Sequence, residues 1–233
     1  LEFANKEVFD EIKSANFKGI GAPRAELFFP MLFDKIDPNV FQDKRQLFSE
    51  FWDFKRENSA FLGTQFHLNQ EKKHEKNGFI INPFTEEKFK LITHNKIFDN
   101  ESVVYNLKDL EDGAYSEILL FDLEVGVAGQ VDELFVKTIK KKKNIWINDS
   151  KTNEEKPDKS NMQKAYPPLD ELDNCKHNKY SMQLSSYAYI LERAGCVIQD
   201  LAYTFYKDYN EECYETVKVE YFRDFCENIF QKP

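Results

Sequence analysis

Ile145-Trp146-Ile147-Asn148-Asp149-Ser150-Lys151 is the stretch on which the fold turns. An apolar run of β type ends in an acid and a base two residues apart. Side chains alternate along a strand, so Asp149 and Lys151 are expected on one face of a strand end. Spacing alone does not select this pair, because six Asp-x-Lys or Glu-x-Lys patterns occur in the chain, beginning at Glu11, Asp53, Glu71, Glu86, Asp149 and Glu154. Only the one at Asp149 follows directly on a β-type run. The other five fall in helical or loop-like stretches.

Towards the N-terminus, Glu117 to Leu123 and Val127 to Thr138 are rich in Ile, Leu, Val and Phe and read as two further strands. Lys140 to Lys143, followed by Asn144, is a polar connection of hairpin length, which makes the second and third strands antiparallel neighbours. Asp132, within Gly129-Gln130-Val131-Asp132-Glu133-Leu134, is then nearly as far from the turn as Asp149, and the two acids can lie side by side. Two carboxylates in contact repel, raising one pKa, unless a cation sits between them. Neither strand holds an Arg to neutralise them. Mg²⁺ and similar hard ions prefer oxygen ligands and keep several waters, so two carboxylates plus a phosphate suit them. With Lys151 beside them to hold an attacking water, the arrangement fits metal-assisted phosphodiester hydrolysis.

Farther out, Lys6 to Ser59 shows mostly helical spacing, and Gly63 to about Lys76 reads as the start of another helix. Short strands are predicted around Phe79 to Ile81 and Lys90 to Thr93. Asn153 to Asn178, dense in charge and carrying Pro157, Pro167 and Pro168, reads as a long loop. Lys179 to Arg193 follows as a helix stopped by Gly195, then a strand at Val197 to Tyr206, another at Glu215 to Val219, and a closing helix at Tyr221 to Phe230. This order predicts an α/β or α+β fold around a mixed central sheet flanked by helices, with an N-terminal helical layer. A single domain over 1–233 is expected, with the helical layer at 1–60, the core at 61–209 and a C-terminal hairpin and helix at 210–233.

The ordered series Gly63-Thr64-Gln65-Phe66-His67 with Glu71, Gly129-x-Val131-Asp132, Asp149-x-Lys151 and Gln183-x-x-x-Tyr187 resembles the PD-(D/E)XK nuclease superfamily, and most of all its RecB-type exonuclease branch. The similarity spans about Gly63 to Tyr206. It implies a restriction-endonuclease-like core and a Mg²⁺- or Mn²⁺-dependent nuclease acting on single-stranded DNA or DNA ends. It further implies that His67, Asp132, Asp149 and the Ser150 carbonyl hold the metal, and that Lys151 orients the water. Gln183 and Tyr187 would contact DNA or brace the site, with Glu71 and Glu117 as supporting acids. The family often has a bulky apolar residue where this chain has Ser150. An endonuclease of the same fold, cutting DNA or RNA, and a catalytically silent nucleic-acid-binding module are the alternatives.

Composition sets the frame. The chain has 233 residues, 41 Asp+Glu against 32 Lys+Arg and a formal net charge of -9, which excludes a histone-like basic protein. Bulk acidity does not exclude a nucleic-acid partner, because phosphate binding needs only a local basic strip. Lys140, Lys141, Lys142 and Lys143, with Lys137 nearby, are the candidate strip, expected to supply positive charge near the cleft; the commoner fate of such a run is a solvated hairpin tip. Cys175, Cys196, Cys213 and Cys226 form no C-x-x-C pair, so reduced thiols and no iron-sulfur cluster are expected. No apolar run approaches the roughly 20 residues of a membrane span, and the first residues lack a signal-peptide apolar region. A soluble intracellular protein is expected, cytoplasmic or phage-encoded in a host cytoplasm, with no membrane partner.

Overall fold

The computed structural model describes residues 44–93, 110–153, 156–160, 163–207 and 209–230. The chain divides into two units at Leu62/Gly63. Of the first, the described part is helical, and the predicted helices before Lys44 lie outside the described residues. Everything below concerns Gly63–Pro233.

Helix α1 (Lys44–Asn77) runs through the unit boundary without a break. The expected helix start at Gly63 is therefore corrected: glycine is a weak helix former, but here it sits inside a helix, where an added Cβ would meet Thr152 Oγ1 at 3.7 Å. A small antiparallel ribbon follows, β1 (Phe79–Ile81) with β2 (Lys88–Lys90). The main sheet comprises β3 (Gly113–Asp122), β4 (Val127–Ile139), β5 (Lys142–Asn153), β6 (Val197–Lys207) and β7 (Tyr214–Val219), in that spatial order. All neighbours are antiparallel except β5 and β6, which are parallel and joined through helix α2 (Lys176–Arg193). The sheet is mixed, as expected from the element order. Helix α3 (Arg223–Phe230) closes the described chain and docks on α2, where the Phe222 N–H donates to Ser185 Oγ at 2.9 Å.

The period-two pattern of β5 sorts its side chains to the two faces of the sheet. Ile145 and Ile147 join Leu134, Val136, Leu201 and Tyr203 against Leu184, Ala188 and Leu191 of α2. Trp146 points the other way and packs with Phe135, Ile80, Phe89 and Ala114. Fully burying such aliphatic side chains is worth about 1.5–3 kcal/mol each, which fixes the register: a one-residue slip of β5 would exchange its faces. The segment read as a loop before α2 is partly folded. Hydrogen bonds Ala165 N–H to Leu172 O and Asn174 N–H to Gln163 O, with the Lys164–Asp173 ion pair, make a small hairpin.

Candidate active site

The β4–β5 ladder ends at Glu133 paired with Asn148. One further step would set Asp132 opposite Asp149. There the backbone pairing is replaced by a side-chain bond: the Ser150 N–H donates to Asp132 Oδ2 at 2.7 Å. The predicted juxtaposition of the two acids is thus present, at the place where the β4–β5 pairing stops.

Asp149 and Lys151 share the α2 side of β5 and form an ion pair. Two other contacts fix the lysine. Its Nζ donates to Gln183 Oε1 at 3.2 Å and lies 5.0 Å from the centre of the Tyr180 ring, and Gln183 in turn donates from Nε2 to Tyr187 OH at 2.8 Å. Gln183 and Tyr187 are one helical turn apart, which puts both on the face of α2 turned to the sheet. Tyr187 fills the space above Gly129, where an added Cβ would fall 2.3 Å from its Cε1 atom. The glycine is therefore needed for close approach and not for a turn.

From the other side, α1 delivers His67. Its Nδ1 is 3.4 Å from Glu117 Oε1 and 3.4 Å from Asp132 Oδ2. Glu117 reaches this point because its φ is 57°, a left-handed conformation in mid-strand between the paired residues Ser116 and Ile118. Ligand atoms of His67, Glu117 and Asp132 lie within 4.8 Å of one another. The sequence reading placed Glu117 among the supporting acids, and the geometry brings it among the ligand candidates. Asp149 stands alongside with its carboxylate engaged by Lys151. Of Ser150 it is the N–H that takes part, on Asp132. Glu71 lies on α1 one turn beyond His67.

The electrostatics follow from crowding three acids around one imidazole and one ammonium. Burial, then the neighbouring Asp149 charge, holds the Asp132 carboxyl well above the usual carboxylate range. Burial also raises Asp149, against the pull of Lys151. The hydrogen bond to Glu117, which outweighs burial, raises His67, helped by the charge of Asp132. Burial works to lower Lys151, but the Asp149 charge and hydrogen bond win and raise it. Two carboxylates and an imidazole at this spacing could hold a metal ion. Such an ion would relieve the repulsion between Glu117, Asp132 and Asp149.

A second polar chain escaped the sequence reading. His74 Nε2 is 3.5 Å from Glu133 Oε1; Asn148 Nδ2 donates to Glu133 Oε2 at 2.8 Å, and Thr204 Oγ1 donates to Asn148 Oδ1 at 3.0 Å. The signal was available: His74 follows His67 by seven residues, which returns a helix almost to the same face.

The lysine cluster is where the expectation needs correcting. Only Lys140 and Lys141 form the turn, while Lys142 and Lys143 belong to β5. The tip is eight residues along β4 from Asp132, roughly 26 Å at strand rise. These lysines therefore do not contribute charge to the acid cluster itself. Lys143 pairs with Asp112 at 3.2 Å and Lys137 with Glu87 at 2.8 Å. All four cysteines are free, and no helix among the described residues is long and apolar enough to cross a membrane. No protein-family model, curated protein or solved structure matches the chain.

Proposed function

We propose that this chain is a divalent-metal-dependent nuclease of PD-(D/E)XK type, with a restriction-endonuclease-like core, hydrolysing phosphodiester bonds of single-stranded DNA or DNA ends. One observation carries the reading: His67, Glu117 and Asp132 converge beside an Asp149–Lys151 pair at the point where β4 and β5 part. Further support comes from the sheet order, in which two antiparallel neighbours are followed by a parallel strand reached through α2, and from the tie of Gln183 and Tyr187 to Lys151.

The residues divide the work. His67, Glu117 and Asp132 would hold the ion, with Asp149 within the same charge cluster. When bound, it supplies Lewis-acid polarisation of a phosphoryl oxygen and acidifies a coordinated water. Lys151, its pKa raised by Asp149, keeps its proton at neutral pH. It therefore acts as a hydrogen-bond donor that orients a water and offsets charge on the phosphoryl group, and not as a base. Gln183 and Tyr187 keep its ammonium aimed at Asp149.

End-labelled linear DNA and closed single-stranded circles, incubated with Mg²⁺ or Mn²⁺, test the proposal. Metal-dependent cleavage that disappears in Asp132→Ala, Asp149→Ala and Lys151→Ala is expected. Cleavage of linear DNA but not of circles assigns an exonuclease. No cleavage of either at high protein concentration, or cleavage that survives all three variants, refutes it.

A further inference from the structure

The β4–β5 hairpin closes in a two-residue turn between the paired residues Ile139 and Lys142. Both turn residues, Lys140 and Lys141, have positive φ, 50° and 65°. Asn-Gly is the pair that such a turn favours, since these residues enter the left-handed region most readily. This chain puts two lysines there instead. Lys140, Lys141 and Lys142 are all exposed. Lys137 and Lys143 are matched by Glu87 and Asp112, whereas no acid among the described residues pairs with the three at the tip. Five lysines and no acid occur in residues 137–143, in a chain whose net charge is -9 and would be -14 without them. A charge distribution this lopsided orients a polyanion, tip towards it and the remaining surface away.

The tip and the candidate active site are on the same two strands. Roughly 26 Å of strand separates Lys140 from Asp132, a span of about eight nucleotides at the 3.4 Å rise of a duplex strand and of fewer in an extended single strand. We propose that the Lys140–Lys142 tip is a distal, non-catalytic contact for the sugar-phosphate backbone of a nucleic acid whose scissile end lies at the Asp132–Asp149 site. The proposal takes its substrate class from the nuclease reading, and the alignment of tip and site along one hairpin favours a long strand over an anionic lipid surface.

The full chain is titrated into a fluorescently labelled 20-nucleotide single-stranded DNA and into the RNA of the same sequence, at several salt concentrations, with anisotropy as the readout. The comparison is with Lys140→Asn/Lys141→Gly. This variant removes two charges while giving the turn the residues it favours, so its thermal midpoint should equal or exceed that of the wild type. Loss of two phosphate contacts makes the logarithmic salt slope shallower by roughly 1.4 and lowers affinity at 0.1 M salt by about twenty-fivefold. Binding that the variant loses, even if the wild type cleaves nothing, supports the tip contact and counts against the nuclease reading alone. Unchanged affinity and slope on both oligonucleotides overturn the proposal. So does a wild type that binds phosphatidylserine vesicles and neither oligonucleotide.

Discussion

Glu133→Gln isolates the cost of a buried acid next to the candidate site. Glu133 is 13% exposed by side chain, and burial pushes its pKa up to about 7 from an ordinary 4.5, against the hydrogen bond from Asn148. Below about pH 4.5 the carboxyl is protonated in both the folded and unfolded chain and contributes no pH dependence. Between there and pH 7 the folded state binds more protons than the unfolded one, so stability falls as pH rises. The shift of about 2.5 units corresponds to roughly 3 kcal/mol at full ionisation, an upper bound given the residual exposure. Glutamine keeps an oxygen to accept from Asn148 Nδ2 and cannot ionise. The variant should therefore match the wild type near pH 4.5 and become progressively more stable relative to it up to pH 8. Neighbouring His74, whose pKa burial lowers, shifts stability the opposite way on acidification. That contribution is common to both proteins and largely cancels in the difference. Urea unfolding in EDTA at half-unit pH steps measures it. A difference that is flat with pH, or that favours the wild type at pH 8, refutes the reasoning.

Two other outcomes follow from the geometry. Gly129→Ala drives Tyr187 out of its place, because the new methyl would lie 2.3 Å from Cε1; a destabilisation of roughly 1–3 kcal/mol is expected, with a loss of the proposed nuclease activity through the Gln183–Lys151 link. Combining it with Tyr187→Ala should cost less than the sum of the single changes, read by unfolding and by cleavage rate. Mn²⁺ should raise the thermal midpoint, by the equivalent of about 2.7 kcal/mol at one hundred times its dissociation constant. Glu117→Gln or Asp132→Asn should abolish that rise, whereas its persistence in both would remove these carboxylates from the ligand set.

Much of this site could be read from the sequence because a hairpin is a ruler. Once Lys140 and Lys141 are recognised as the turn, counting outward brings Asp132 and Asp149 together, and the alternation of Ile145, Trp146 and Ile147 assigns their faces. What counting cannot supply is a local break in the backbone. Glu117 enters the cluster only through its positive φ, and no glycine or asparagine marks that position. The Glu133–His74 contact was half legible: the seven-residue spacing puts His74 on the face of His67, but the acid it meets depends on how α1 is rotated against the sheet. The lysine run was visible as charge, and the same count from the turn sets it eight residues of strand away from Asp132.

The parting of β4 and β5 explains why the acids can be tolerated at all. Continued pairing past Glu133 and Asn148 would set the buried Asp132 and Asp149 directly opposite each other, at a cost of several kcal/mol for uncompensated charge. Ending the ladder there leaves the Ser150 N–H without a backbone acceptor, and Asp132 Oδ2 takes that place. The same carboxylate thus ends the strand pairing and faces His67 and Glu117. Removing it does two things at once. Asp132→Ala leaves a buried N–H unsatisfied and takes away a ligand, whereas Asp132→Asn can still accept from Ser150 while losing the charge. The asparagine variant should therefore keep most of the stability that the alanine variant loses, about 1–3 kcal/mol for a buried unpaired donor. Equal stability of the two in EDTA would show that the Ser150 N–H does not depend on Asp132 for its acceptor.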